Sequence, residues 1–163
     1  MDDKLVVKKL DPSAENKMKI SDFIYEIKDI FPNTFGNKEN PVNIEEYITK
    51  IFTYGVCICA EVGGVVTGIC MGYMNDYETK KAYITLIGVN PNTQSRGLGT
   101  KLMECMKLES RNAGMKYIRA SPHHQNTGAI KFYAKNGFIP TEHDFKSAST
   151  EYLDARLPLI CHL

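Results

Sequence analysis

The sequence predicts an α+β domain built on a mixed central β-sheet with helices packed against it. Apolar runs on both sides of Gly63-Gly64 are typical of a β-hairpin, which supplies antiparallel strands. A further apolar run, 83–89, leads through a glycine-containing loop into a helical pattern that starts near Gly97. No linker, repeat or low-complexity tract divides the chain, so we expect a single domain over residues 1–163.

The first half of the chain is predicted to form a strand, two helices and the hairpin. The short apolar run 4–10 indicates the strand, and Asp11 or Ser13 after it is a suitable helix N-cap. Apolar residues then recur at helical spacing in two stretches separated by a polar loop, 33–41. The first stretch comprises Met18, Ile20, Phe23, Ile24, Ile27 and Ile30, and the second Ile44, Tyr47, Ile48, Ile51 and Phe52, ended by Gly55. The hairpin strands are 56–62 and 65–74.

The second half is predicted to alternate strands and helices. The strand at 83–89 ends at Asn90-Pro91, because proline cannot donate to a β-ladder. Gly137 is suited to the left-handed residue that stops a helix. The remaining predicted elements are a helix from Gly97 to about Gly114, a strand at 116–121, a helix at 126–136 and one or two closing strands within 145–159.

Composition and charge narrow the class of protein. A chain with 43% apolar and 24% charged residues has the composition of an ordinary globular domain, and a net charge of +1 favours neither nucleic acid nor an acidic membrane surface as a partner. The polar N-terminus has no signal-peptide pattern, and five cysteines in apolar runs indicate free thiols, so we expect a cytoplasmic location. Cys57 and Cys59 alternate within a strand, which indicates core packing and no metal site.

The loop before the central helix has the features of an anion-binding turn. The first amides of a helix lack partners within it, and the helix dipole places partial positive charge there. Gly97 and Gly99 would let a ligand approach the backbone, and 93–103 contains Arg96 and Lys101 but no acid. A pyrophosphate is the expected ligand. The turn alone would also fit an ordinary strand-to-helix connection with two flexible glycines.

Two blocks of sequence carry a more specific resemblance. Gln94-Ser95-Arg96-Gly97-Leu98-Gly99 matches the Q/R-x-x-G-x-G/A signature of the GNAT superfamily of N-acetyltransferases, and a second matching block runs from Asn126 to Phe138. The blocks have that family's order and separation, and the resemblance covers roughly 82–140. It implies a splay between the fourth and fifth strands that admits the cofactor, acetyl-CoA as acetyl donor, and an amine acceptor.

The resemblance also implies the roles of particular residues. The backbone of Ile87, Gly88 and Val89 would pair with the pantetheine arm, with the Val89 amide near the acetyl carbonyl. The matching Asn126 would bind pantetheine, and the matching Tyr133 would protonate the sulfur as the catalytic acid. The expected cofactor-binding residues are Ile87, Gly88, Val89, Gln94, Ser95, Arg96, Gly97, Leu98, Gly99, Thr100, Asn126 and Tyr133. Without the resemblance, Asn126 would be interpreted as a helix N-cap and Tyr133 as a core residue.

No general base can be transferred from the family. Tyr83 and Ser121 stand where some better-characterised members carry a glutamate. Residue chemistry leaves five candidates, which are Glu61, Asp76, Glu78, His123 and His124, and a chain of water molecules without a single base remains an alternative.

The function that the resemblance implies is transfer of acetyl from acetyl-CoA to a primary amine by direct attack on the thioester. The missing base favours an alternative, a non-catalytic CoA-binding sensor or regulatory domain. No motif identifies the acceptor, and a small molecule is expected in preference to a protein. Exposed strand edges near the C-terminus leave room for a homodimer.

Overall fold

The structure is a computed structural model that describes residues 4–30, 41–93, 97–143 and 155–163. Its elements are β1 (Leu5–Lys9), α1 (Ala14–Ile27) with a 3-10 turn (Lys28–Ile30), α2 (Ile44–Tyr54), β2 (Val56–Val62), β3 (Val65–Asp76), β4 (Lys81–Val89), α3 (Leu98–Asn112), β5 (Tyr117–Ala120), α4 (Thr127–Lys135), β6 (Ile139–Pro140) and β7 (Leu159–His162).

The described strands form a seven-stranded mixed sheet in the order β1-β2-β3-β4-β5-β7-β6. Neighbouring strands are antiparallel except β4 and β5, which run parallel. A parallel pair needs a crossover connection, and α3 supplies it. The predicted mixed sheet flanked by helices is therefore confirmed, with the parallel pair at its centre.

Each face of the sheet carries its own hydrophobic core. Helices α3 and α4 cover one face, where Leu102, Met103 and Met106 of α3 are almost wholly buried. Helices α1 and α2 cover the opposite face with Ile20, Ile24, Ile48 and Ile51 among others. Cys57 and Cys59 are buried in this second core, as their alternation predicted.

Local signals placed the first two helices correctly. Ser13 caps α1 by accepting a hydrogen bond from the Asn16 amide (3.1 Å), and Asn43 caps α2 by accepting one from the Glu46 amide (3.1 Å). Gly55 ends α2 as predicted. None of the described helices is both long enough and apolar enough to cross a membrane.

The end of the chain differs from the prediction. The closing strand β7 begins at Leu159, where the predicted range 145–159 stops, and most of that range (145–154) lies outside the described residues. The two-residue strand β6 was not predicted, because so short a segment shows no periodicity and Pro140 argues against a strand. Strand β3 extends two residues beyond the predicted hairpin strand, and β4 begins two residues earlier than the predicted strand.

Candidate active site

A cleft opens where the two parallel strands separate. β4 and β5 pair at three positions, from Lys81↔Tyr117 to Tyr83↔Arg119. Beyond Tyr83, β4 continues to Val89, whereas β5 ends at Ala120. The resulting cleft has a volume of about 360 Å³ and is lined by β4, by the segment that follows β5 and by α4. The predicted splay between the fourth and fifth strands is therefore present.

A β-bulge in β4 marks the point of separation. Met71 pairs with Leu86 and Gly72 with Ile84, which leaves Thr85 as an extra residue in β4. The bulge reverses which face successive side chains occupy, so that Ile84 and Leu86, two residues apart, are buried in opposite cores. A bulge bends its strand and increases the twist, which turns the rest of β4 away from β5.

The register between the antiparallel strands β3 and β4 determines which backbone groups of β4 point toward the cleft. The Asn90 amide donates to the Thr67 carbonyl oxygen of β3 (2.9 Å). Because backbone groups alternate along a strand, those of Gly88 also point toward β3, while those of Ile87 and Val89 point away from it. Ile87 lines the cleft. Two of the three predicted backbone partners of the cofactor thus present donors in the direction of β5.

At the start of α3, the N-cap residue itself provides no side chain to cap the first amides. Its N-cap is Gly97, in the left-handed conformation (φ 73°), with no side-chain hydrogen bond to the helix. The first turn contains no acidic residue. The first bond within the helix runs from the Lys101 amide to the Gly97 carbonyl (3.0 Å), so the amides of Leu98, Gly99 and Thr100 precede the ladder. The macrodipole makes this end a favourable place for an anion.

The two glycines of the turn are required for different reasons. A Cβ atom at Gly97 would meet open space, but its positive φ favours glycine. A Cβ atom at Gly99 would lie 3.0 Å from Phe132 Cε2, so Gly99 allows α3 to pack closely against α4. Gln94, Ser95 and Arg96 of the predicted site lie outside the described residues.

Asn126 and Tyr133 both line the cleft from α4. Asn126 is the N-cap of that helix, and its Oδ1 accepts a hydrogen bond from the Ala129 amide (3.1 Å). The capping role proposed from residue chemistry is therefore present. It engages Oδ1 and leaves the Nδ2 group as the part of the side chain that would contact a ligand.

Tyr133 is buried and packs against two aromatic rings. Its side chain is 6% exposed, and its ring packs edge-on against those of Phe132 and Phe138, with centroids 5.7 and 5.0 Å away. Burial, with smaller contributions from Cys70 and Tyr83, raises the pKa of Tyr133 well above its ordinary value. A phenol in this environment can donate a proton or a hydrogen bond but does not ionise near neutral pH.

The three carboxylates among the base candidates lie elsewhere. Glu61 is buried on β2 and contacts Lys8 Nζ at 3.4 Å. Asp76 accepts hydrogen bonds from the Thr79 hydroxyl and amide, which lower its pKa. Glu78 lies in the turn after β3. None of the three lines the cleft in the part of the chain that the structure describes.

Of the two histidines, His123 lines the cleft and His124 is exposed. The Gln125 amide donates to His123 Nδ1 (3.2 Å), so the neutral ring carries its proton on Nε2 and presents a donor there. His124 Nδ1 lies 2.9 Å from the Ala155 carbonyl oxygen and donates to it. The rings stack with centroids 4.8 Å apart. His123 would act as a base only by giving up its bond to the Gln125 amide.

The cleft also contains residues to which the sequence analysis assigned no role in the site. Thr85 comes from the bulge, Ser121 follows β5, and Arg156 precedes β7 and donates from Nη1 to the Ser121 carbonyl oxygen (3.0 Å). A threonine inside an otherwise apolar strand was the one local signal for Thr85. Arg156 reaches the cleft by a long-range pairing that no local pattern reveals.

Comparison with known proteins decides the family. The model of the acetyltransferase (GNAT) family matches residues 21–138. The chain belongs to this family. GNAT proteins are acyltransferases that use acetyl-CoA as donor, and this membership makes the chain an acyltransferase of that type.

Solved GNAT structures share the fold over nearly the whole chain. A GNAT acetyltransferase from Staphylococcus aureus Mu50 has a TM-score of 0.74 at 16% identity, with 97% of this chain and 99% of that chain covered. The PaiA N-acetyltransferase of Thermoplasma acidophilum, solved with coenzyme A, has a TM-score of 0.71 at 15% identity, with 98% and 99% covered.

A curated relative is similar over a shorter stretch. The tRNA(Met) cytidine acetyltransferase TmcA of Thermococcus sp. (strain AM4) is 31% identical over 67 residues, which is 40% of this chain and 8% of that protein. The chain thus spans a small part of the length of this relative.

Proposed function

We propose that the protein transfers the acetyl group of acetyl-CoA to a primary amine by direct attack on the thioester. The observation that carries this proposal is that two consecutive elements, β4 and α3, each supply a set of backbone donors. The strand whose Ile87 and Val89 groups face the cleft side is followed, after residues 90–97, by the amides of Leu98, Gly99 and Thr100 at the start of α3. A diphosphate at one end and an extended thioester arm at the other match this arrangement.

The donor would be held mainly by backbone atoms. Residues 95–100 would bind the pyrophosphate, Ile87 and Val89 would pair with the pantetheine arm, and the amide side chain of Asn126 would bind the same arm from α4. The backbone groups of Gly88 pair with β3 and so do not bind the arm. The contribution of Gly88 would be the absence of a side chain beside the arm. Gln94, Ser95 and Arg96 belong to this proposed set through the sequence signature.

The reaction needs an oxyanion donor and a proton for the departing sulfur. The Val89 amide is the proposed oxyanion donor, and the Ile87 amide, which has the same orientation and lines the cleft, is the second candidate. Tyr133, kept neutral by burial, donates its proton to the sulfur as the carbon–sulfur bond breaks, and water that receives the proton of the amine returns one to the phenolate oxygen. The attacking nitrogen forms the new bond to the carbonyl carbon and loses its extra proton to water, since no carboxylate of the described residues lines the cleft.

We also propose a class of acceptor, a cellular location and an oligomeric state. A small amine is favoured over a protein as acceptor because the cleft volume of about 360 Å³ is that of a small-molecule site. A cytoplasmic location agrees with the free cysteines, all but one of which are buried. The sheet edges at β1 and β6 leave room for a homodimer.

A second candidate function is a CoA-binding sensor without turnover. The hydrogen bond that places the His123 proton on Nε2, together with the absence of a described carboxylate from the cleft lining, favours it. The sensor and the enzyme share the donor site and differ in whether an amine is consumed.

One pair of measurements tests both candidates. Calorimetric titration with acetyl-CoA measures binding, and CoA thiol release measures turnover with ethanolamine, tyramine, spermidine, glucosamine and a lysine-containing peptide that has a free α-amine. Binding with amine-dependent thiol release supports the enzyme. Binding without release on any amine favours the sensor, and no binding at high micromolar acetyl-CoA contradicts both.

A further inference from the structure

Ser121 has a buried hydroxyl that the protein itself does not satisfy. The residue directly follows β5, is 4% exposed and lines the cleft. Its Oγ has no hydrogen-bond partner among the residues that the structure describes. Buried hydroxyls are normally paired, because leaving one unpaired forfeits its hydration without compensation. An unpaired hydroxyl on the wall of a cleft therefore points to a partner that arrives with the substrate.

The backbone around this hydroxyl is fixed. The Ser121 carbonyl oxygen accepts a hydrogen bond from Arg156 Nη1 (3.0 Å), and the neighbouring Leu157 amide donates to the Pro122 carbonyl oxygen (2.9 Å). The carbonyl groups of two consecutive residues, Ser121 and Pro122, thus tie the segment after β5 to the segment before β7. The position of Ser121 is set before any ligand binds.

Ser121 and Tyr133 reach the cleft from opposite faces of the sheet. Ile118 and Ala120 are buried in the core beneath α3 and α4. Alternation along β5, continued one residue past its end, directs Arg119 and Ser121 to the other face, on which α1 and α2 pack. Tyr133 comes from α4 on the first face. A thioester carbon between them would expose its leaving sulfur toward Tyr133 and leave the Ser121 side for the incoming nucleophile.

We propose that Ser121 orients the acceptor. Its Oγ accepts a hydrogen bond from an N–H of the attacking primary amine, which turns the nitrogen lone pair toward the carbonyl carbon. The serine removes no proton, and the proton that the amine loses goes to water. This inference rests on the proposed acetyl transfer and assigns the acceptor side of the same cleft.

The test compares two buried serines. Ser121→Ala removes the unpaired hydroxyl, Ser121→Thr retains a hydroxyl, and Ser110→Ala removes the hydroxyl of a fully buried serine that does have a partner, the Met106 carbonyl oxygen at 2.7 Å. Kinetics use the amine that wild-type protein acetylates fastest among ethanolamine, tyramine, spermidine, glucosamine and the peptide. Acetyl-CoA affinity and melting temperature are measured for each variant.

We expect Ser121→Ala to raise KM for the amine by about threefold to tenfold, the value of one hydrogen bond, with acetyl-CoA affinity unchanged. Its melting temperature should equal or exceed that of wild type, since no protein hydrogen bond is lost, whereas Ser110→Ala should melt lower with KM unchanged. Ser121→Thr should restore most of the amine KM.

Failure of this inference is distinguishable from failure of the proposed function. Amine turnover by wild type with the same KM in Ser121→Ala would overturn the role of Ser121 alone. That role is also overturned if Ser121→Ala weakens acetyl-CoA binding, or melts lower as Ser110→Ala does. Wild-type protein that acetylates no amine in the panel would overturn the acetyl transfer and the Ser121 assignment together.

Discussion

The hydroxyl of Tyr47 lies 2.6 Å from Thr85 Oγ1, which itself lies 3.3 Å from the Met71 carbonyl oxygen. A carbonyl oxygen only accepts, so Thr85 donates to Met71 and Tyr47 donates to Thr85. This relay ties α2 to the bulge at which β4 leaves β5. Helix α2 thereby helps to hold β4, the strand that carries part of the proposed donor site.

Tyr47→Phe should lower turnover without preventing folding. Loss of one hydrogen bond of this kind costs roughly 0.5–1.5 kcal/mol of stability, measured by urea unfolding. We expect kcat for amine acetylation to fall severalfold, because the Ile87 and Val89 amides follow directly from the bulge. Tyr54→Phe is the matched control on the same helix, since Tyr54 is 63% exposed. Equal kinetics in the two variants would show that the relay does not position the site.

Thr100→Glu should have opposite effects on folding and binding. A carboxylate in the first turn of α3 interacts favourably with the helix dipole and should stabilise the fold by about 0.3–1 kcal/mol. The same charge repels a diphosphate, so acetyl-CoA affinity should fall by roughly tenfold or more. Thr100→Gln, similar in size and uncharged, is the control. Thr100 is preferable to Gly99 for this test, because a side chain at Gly99 would crowd Phe132. Undiminished acetyl-CoA binding by Thr100→Glu would place the anion elsewhere.

Tyr133→Phe should affect catalysis more than donor binding. The substitution removes the proposed proton donor but keeps the ring that packs against Phe132 and Phe138. We expect kcat to fall by roughly 10²-fold, the lower range for a general acid, while acetyl-CoA affinity changes by less than about threefold. An unchanged kcat, in single-turnover as well as steady-state measurements, would reduce Tyr133 to a packing residue.

The raised pKa of Tyr133 also predicts how stability responds to alkali. In the unfolded chain tyrosine ionises near pH 10, whereas native Tyr133 retains its proton above that pH. The native state then binds more protons than the unfolded state, so stability is unaffected by this group below about pH 10 and falls above it. The slope is about 1.4 kcal/mol per pH unit for one tyrosine. Unfolding free energies measured between about pH 9 and 11 should fall less steeply in Tyr133→Phe than in wild type, and identical slopes would contradict the assignment.

Local sequence signals were sufficient for most of the fold. The cap at Ser13, the turn at Gly63-Gly64 and the helical spacing of apolar residues each act over a few residues, and the structure places the corresponding elements where they indicate. β6 and β7 escaped correct prediction because their pairing is long-range. Leu159 and Ile160 are strand residues through their pairing with β5 and β6, and nothing in their immediate sequence fixes where that strand begins.

In the candidate site, too, features set by local sequence could be predicted, whereas features set by long-range contacts could not. The start of α3 could be predicted, because the absence of acids and the two glycines are local features. The bulge at Thr85 could not, since it is defined by the register between β3 and β4. The unpaired hydroxyl of Ser121 depends on what surrounds it in three dimensions, and the tautomer of His123 depends on the Gln125 amide.

The proposed acetyl transfer requires that backbone amides of β4 and of the start of α3 hold the CoA donor. Backbone amide chemical shifts of the wild-type protein, followed by NMR during titration with CoA, test this directly. We predict saturable shifts that are largest for Ile87, Val89 and 97–100. Saturable binding in which the largest shifts belong to other amides would contradict this claim. Absence of binding up to about millimolar CoA, which corresponds to a binding free energy weaker than roughly −4 kcal/mol, would also contradict it.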